Sequence, residues 1–358
     1  MTAIRKDGFG EGDWGNDNVQ RAAPPAPASA MRLVKPVAKE DLLEHIQTSL
    51  ELAYSFDYTV TRPELRGLYE KAKDAQWNAR TALPWTTPVD PEGENIPNAM
   101  IPIFGTPMWD RLDPKREIPE LRRHASSYML SNFLHGEQGA LLATAQLVTA
   151  VPDSDAKLYA ATQVMDEARH VEAYERYLRE KVELTYPISP HLKTLLDEIL
   201  RESRWDMKFL GMQIMVEGLA LAAFGMISQT VNEPLIKDIV HNVMLDESRH
   251  VAFGVLSLRG LYADMTESEL RAREDFILEA SRLMRERFLM QEVWENLGLP
   301  LEACLDAVRQ SPIMQLFQSL LFSKIVPNVK RLGLLTPRVR LGFEELRVIQ
   351  YETWDASA

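Results

Sequence analysis

The residues best placed to do chemistry in this chain occur twice. The segment DEARHV at 166–171 returns as DESRHV at 246–251, with five of six residues identical at an offset of 80. Glu137 and Glu217 stand at the same offset. On an α-helix, residues three apart share a face, so Glu167 with His170 and Glu247 with His250 each present a carboxylate and an imidazole to one point. In an antiparallel helix hairpin, two residues lie level when they are equally far from the turn. The midpoint of 137 and 167 falls in VPDSD (151–155) and that of 217 and 247 in TVNEP (230–234), both helix breaks by composition alone. Each single Glu is therefore predicted to meet the Glu-x-x-His of the following helix.

Four carboxylates and two imidazoles in a bundle interior carry a formal charge of −4, a strongly destabilising burial unless cations balance it. The surroundings LLATAQLV and LALAAFGMI read as buried walls. Two divalent metals satisfy the charge, and oxygen and nitrogen donors without sulfur suit iron or manganese. The predicted metal ligands are Glu137, Glu167, His170, Glu217, Glu247 and His250. A lone Glu-x-x-His ordinarily decorates a solvated helix face. Duplication, the level Glu on each preceding helix and the apolar walls point the other way.

The elements that must position these residues are helical. Apolar residues recur at helical spacing from Lys39 to about Phe56 and from Arg62 to Arg80, predicting two leading helices. Residues 83–114 contain seven prolines and predict an ordered, aromatic-anchored loop. After Pro119 the breaks at 151–155, 186–190 and 230–234 leave four long helices, and two more follow, through 266–296 and from about Leu301 to Ile325. The fold class expected is all-α: a twofold-symmetric four-helix bundle with flanking helices, some eight helices in one domain, 36–355. Residues 1–35, with AAPPAPASA, carry no apolar period and read as a disordered tail. The polar C-terminal segment is left unplaced.

Composition narrows the function. The single Cys304 excludes a disulfide within the chain, a Cys-rich zinc site and a Cys-ligated iron–sulfur cluster, and fits a reducing compartment. A net charge of −12 without a basic stripe argues against nucleic acid as a partner. Neither a signal-peptide h-region nor a run of ~18 or more apolar residues is evident, so a cytoplasmic protein with no membrane partner is expected.

The repeated D-E-x-R-H box resembles that of the ferritin-like di-iron carboxylate superfamily, particularly bacterial multicomponent monooxygenase hydroxylases and ribonucleotide reductase small subunits. The resemblance covers about Arg122 to Leu258. It implies a di-iron centre, or one Mn with one Fe, at which O2 is reduced to an oxidant that attacks a small organic substrate or a nearby side chain. Electrons would come from an external ferredoxin or reductase, and a homodimer is the family-level expectation. It also implies that Asp166 and Asp246 hydrogen-bond a ligand His from the opposite half, supported by Arg169 and Arg249.

Phe133 and Gln213, four residues before Glu137 and Glu217, and Leu141 and Leu221, four after, are predicted to line the cavity beside the metals. Tyr174, four after His170, stands where the reductase small subunits carry a radical tyrosine, which gives a redox role to weigh against that of a core residue. Leu221 replaces the Thr usual in the hydroxylases. Arylamine N-oxygenases are similar in architecture but add a His four residues before the second Glu-x-x-His, where this chain has Val243; His241 points elsewhere. That departure lowers N-oxygenation without excluding it, and hydroxylation, N-oxygenation or a related oxidation is expected. Aldehyde-deformylating oxygenases share the six-ligand pattern in a smaller chain. The reading is an O2-activating oxidase or monooxygenase, with a radical-generating small subunit and an iron-storage protein as rivals.

Overall fold

The computed structural model describes residues 33–35 and 42–354, so the N-terminal tail expectation lies almost wholly outside the described residues. Among them there is no strand, only an isolated bridge between Leu33 and Thr185. The helices are α1 (Pro63–Asp74), α2 (Glu117–Ala150), α3 (Ser154–Tyr177), α4 (Pro190–Arg201), α5 (Trp205–Phe209), α6 (Glu217–Thr230) and α7 (Pro234–Leu258). After these come α8 (Glu267–Glu286), α9 (Gln291–Asn296), α10 (Leu301–Gln310), α11 (Pro312–Leu320), α12 (Ile325–Arg331) and α13 (Pro337–Glu345).

Local chemistry sets the ends of the central helices. Asp153 caps α3 by accepting from the Ala156 N–H, and Ser189 caps α4 ahead of Pro190. Glu233 caps α7, accepting from the N–H groups of Leu235 and Ile236, and also accepts from the Tyr177 hydroxyl at 2.8 Å, tying the end of α3 to the start of α7. Helix α2 packs on α3, and α6 on α7, forming the two hairpins, while α3 against α7 joins them. The buried apolar side chains of these helices belong to one continuous core.

Four expectations are corrected. No α-helix spans Lys39 to Phe56: among the described residues 43–62 are irregular or extended, with Leu42 at 54%, Leu52 at 61% and Phe56 at 81% exposure. Only Ile46 of this stretch packs on the core, too little to support a helical face, and propensity alone does not hold an isolated helix of that length. The third long helix is broken at Glu202–Arg204, where the Glu202 carboxylate captures the Arg204 backbone and guanidinium. The buried Lys208 ammonium then caps α4, donating to the carbonyls of Ile199 and Leu200 at 2.8 and 3.1 Å. The helix expected from Leu301 to Ile325 breaks at Ser311, which caps α11 ahead of Pro312. Finally, Trp205–Thr230 is long and apolar enough to cross a membrane, although 78% of its most apolar 18-residue window is buried inside the protein.

That stretch holds a π-helical segment, Leu210–Val216, directly before Glu217, with all seven residues buried. Helix α7 reaches it closely because residue 254 is glycine: a Cβ there would stand 2.6 Å from the Gln213 Cβ, an atom fixed by its own backbone. Gly254→Ala is therefore expected to destabilise the fold by about 1–3 kcal/mol through overpacking, read from the midpoint of urea unfolding. An unchanged midpoint would mean that the two helices can part at no cost.

Candidate metal centre

The structure brings all six predicted ligands together. Potential donor atoms of Glu137, Glu167, His170 and Glu247 lie within 4.8 Å of one another, as do those of Glu167, Glu217 and His250. Glu167 belongs to both groups, and Glu247 also approaches both imidazoles, at 3.3 Å from His170 Nδ1 and 3.5 Å from His250 Nδ1. None of the six side chains is more than slightly exposed.

The two imidazoles are oriented alike. His170 Nε2 stands 3.0 Å from Asp246 Oδ2, and His250 Nε2 stands 3.2 Å from Asp166 Oδ2, each aspartate coming from the opposite half. With Nε2–H donated to an aspartate, the Nδ1 lone pair of each ring faces the carboxylates. Arg169 donates to Asp166 at 2.5 Å and to Asp246 at 3.0 Å, while Arg249 donates to Asp246. Three residues outside the sequence-based set complete the shell. Gln76 donates to Asp166 and accepts from Arg169, and the Trp77 indole N–H donates to Asp246 at 2.8 Å beneath the Arg169 guanidinium. Buried Gln163 donates to both Glu167 and Glu217, at 2.9 and 2.8 Å.

The cluster fits two cations on its own geometry. Glu167 Oε2, Glu217 Oε2, both Glu247 oxygens and His250 Nδ1 are buried without a hydrogen-bond partner. These are acceptor atoms converging on common points with too few donors to satisfy them. In the metal-free chain, protons take the place of cations. Burial, aided by Glu247 and Glu167, pushes the Glu137 carboxyl up to about 8 against the pull of His170. Burial and Glu247 likewise raise Glu217 well above the carboxylate range. Burial works to neutralise both imidazoles, but their carboxylate neighbours, Glu137 beside His170 and Glu167 and Glu247 beside His250, more than offset it and raise both above the ordinary imidazole value. Burial also opposes ionisation of Glu167, where the two histidines prevail and keep its pKa low.

Metal must displace these protons, so affinity is expected to rise between about pH 6 and pH 9, where Glu137 gives up its proton. The half-saturating Mn(II) concentration, followed by calorimetry, should fall across that range; a flat profile would contradict the charge balance described. Trp77→Phe deletes the donor to Asp246 and should weaken metal binding by roughly 10–100-fold, the usual effect of losing an outer hydrogen bond. Equal affinity would mean that Asp246 is held without the indole.

Of the four residues predicted to line a cavity beside the metals, Phe133 alone lines the apolar cavity between α2 and α6, which none of the six clustered side chains lines. Gln213 is buried against Thr144, whereas Leu141 and Leu221 are half-buried away from that cavity. Tyr174 is fully buried, its ring 5.9 Å from Phe133 and stacked on Phe224, and its hydroxyl has no partner. Signals for Gln76 and Trp77 were absent from the sequence because they lie far outside the repeat. Gln163 could have been found: it stands one helical turn before Glu167 on the ligand face.

Among curated proteins none matches the chain. Solved structures similar to it include the R2-like ligand-binding oxidase with aerobically reconstituted Mn/Fe cofactor after a long soak, at 16% identity and TM-score 0.43, covering 80% of this chain and 93% of that one. The same oxidase with its metal cofactor after photoconversion gives 16% identity and TM-score 0.44, covering 77% and 94%. The family model described as p-aminobenzoate N-oxygenase AurF matches residues 60–333, a span holding α1, both hairpins, all six clustered side chains and their aspartate partners. Val243, where arylamine N-oxygenases are expected to carry a further His, is fully buried in the core. A single replaced position does not remove a chain whose matched span is most of its length, and the protein belongs to the p-aminobenzoate N-oxygenase AurF family.

Proposed function

We propose that Glu137, Glu167, His170, Glu217, Glu247 and His250 hold two metal ions with which this chain N-oxygenates a small organic amine. As a member of its family the chain is a non-haem di-iron oxidase or oxygenase acting on a small organic substrate. N-oxygenation is the finer reading, supported by the family's described activity. The observation that carries the metal site is the convergence of buried, unpartnered acceptor atoms on two points. Two irons suit this donor set, as does one Mn with one Fe.

When bound, the metals supply the redox chemistry that activates O2. The chain's own work is positional. Asp166 and Asp246 hold the Nε2–H of each imidazole so that Nδ1 is presented as a lone pair, and Arg169 and Arg249 hold those aspartates in place by donating to them. Apolar α2 and α6 exclude water, and Phe133 and Phe224, in edge contact at 5.0 Å, wall the site on one side. In balance, R–NH2, O2, two electrons and two protons give R–NHOH and H2O, so an external reductant of ferredoxin type is required. The buried free thiol of Cys304 supports a cytoplasmic setting, and the exposed apolar side chains of 42–60 support a homodimer. We take 36–355 as one helical domain acting without nucleic acid or membrane.

The test is anaerobic ferrous loading followed by O2, with 4-aminobenzoate against benzoate and a chemical reductant. Oxygen uptake coupled to loss of the amine supports N-oxygenation; uptake with ring or chain hydroxylation and an intact amine rejects it. A tyrosyl-radical signal at Tyr174 without substrate turnover would favour the radical-generating reading, which its burial and unpartnered hydroxyl support.

A further inference from the structure

Gln163 lies on α3 one helical turn before Glu167 and is fully buried. Its side-chain nitrogen spends both hydrogens on the cluster, donating to Glu167 Oε1 at 2.9 Å and to Glu217 Oε1 at 2.8 Å. Carboxylate oxygens that face a cation only accept, so it is the nitrogen of the amide, and not its oxygen, that must face them. The amide oxygen, Oε1, is buried and has no partner among the described residues.

That orphan oxygen is a cost to the fold that an apolar side chain would avoid. The repeat shows that packing has no need of an amide at this register. At the offset of 80 that relates the two halves, the counterpart of Gln163 is Val243, on α7 one turn before Glu247 and equally buried. One half therefore places a donor where the other places an apolar residue. The two groups of carboxylates differ accordingly. Glu167 Oε1 stands 3.2 Å from His250 Nδ1 and its Oε2 stands 3.5 Å from His170 Nδ1, so the amide grips the oxygen that serves the His250 side. Glu217 belongs to that side alone. On the other side both oxygens of Glu247 lack a hydrogen bond, and Glu137 Oε2 meets His170 Nδ1 at 3.1 Å. Among the described residues no side-chain amide reaches either of them.

We propose that Gln163 is a positioning residue that makes the two metal points unlike, locking Glu167 and Glu217 around the ion at His250 while Glu137 and Glu247 stay free to adjust around the ion at His170. The assignment rests on the proposed function for the presence of two ions. A carboxylate gripped through one oxygen has the direction of the other fixed, and the free oxygen of Glu217, Oε2, is the one left without a partner. The His250 side is thus preorganised by an outer hydrogen bond that the His170 side lacks.

Calorimetric titration of the full chain with Mn(II), in a cycle of double variants, tests it. Gln163→Met keeps the reach of the side chain and removes the donor, and should weaken binding at the His250 point by roughly 10–100-fold. In a Glu137→Ala background, where that point is untouched, the loss should persist in full. In a Glu217→Ala background, where the second acceptor is gone, it should shrink to less than about threefold. Lost packing alone would act equally in both backgrounds. Mössbauer spectra of the ferrous-loaded chain give a second reading: two doublets are expected, of which Gln163→Met shifts one and spares the other. Should Gln163→Met fail to fold by circular dichroism, Gln163→Leu gives the same comparison. Equal losses in the two backgrounds, unchanged affinity in both apolar variants, or two doublets shifting alike would each overturn the assignment. A native chain that binds no Mn(II) would overturn the proposed function together with it, whereas native binding of two ions with Gln163→Met behaving alike would overturn the assignment alone.

Discussion

Glu247→Ala is expected to bind metal at least ~100-fold more weakly than the native chain, beyond the 10–100-fold typical of losing an outer partner, and to take up no O2, while remaining folded. Its oxygens face His170 Nδ1 at 3.3 Å and His250 Nδ1 at 3.5 Å, so one substitution removes a carboxylate that faces both imidazoles. Glu137→Ala touches one group only and should spare more of the binding, although O2 uptake should still be lost. The fold should survive because the core extends well beyond the site, through α8 to α13. Metal content after anaerobic loading, with circular dichroism on the same samples, checks both halves. Native metal content in Glu247→Ala would remove that residue from the site.

Arg273→Met should cost about 3–5 kcal/mol of stability, the usual penalty for removing one partner of a buried ion pair. Arg273 on α8 meets Asp206 on α5 through Nε at 3.0 Å and Nη2 at 2.8 and 3.0 Å, with both residues buried. The substitution leaves the Asp206 carboxylate in the core without its fork of donors, at the start of the helix that leads through the π segment to Glu217. Replacing both partners together should cost much less, because no charge is then left unpaired. Denaturant unfolding of the single and double variants measures the difference. A double variant as unstable as Arg273→Met would point to lost packing rather than lost pairing.

The candidate site was legible because its chemistry is periodic. Glu-x-x-His at i, i+3 fixes a face, and turns written in Pro, Asp and Asn fix which helices lie level, so the cluster follows without any knowledge of long-range packing. The hairpins α2–α3 and α6–α7 were legible for the same reason. What escaped was set by contacts distant in sequence. Gln76 and Trp77 enter the site from the irregular segment just after α1, across more than eighty residues, and no local pattern marks them. The break after α4 depends on Lys208 reaching back to carbonyls of the preceding helix, a cap invisible to a reading that takes lysine as solvated. In 42–60 apolar residues at helical spacing promised a helix, but of these Ile46 packs on the core while Leu42, Leu43, Leu52, Tyr54, Phe56, Tyr58 and Val60 stay exposed, and periodicity with so little packing does not make one.

The most direct measurement is the metal stoichiometry of the full chain after anaerobic ferrous loading and removal of unbound iron, followed by mixing with O2. Two irons per chain, both oxidised on mixing, is the result predicted by two groups of converging donors that share Glu167. A chain that retains no iron, or retains it without reacting with O2, would contradict the account.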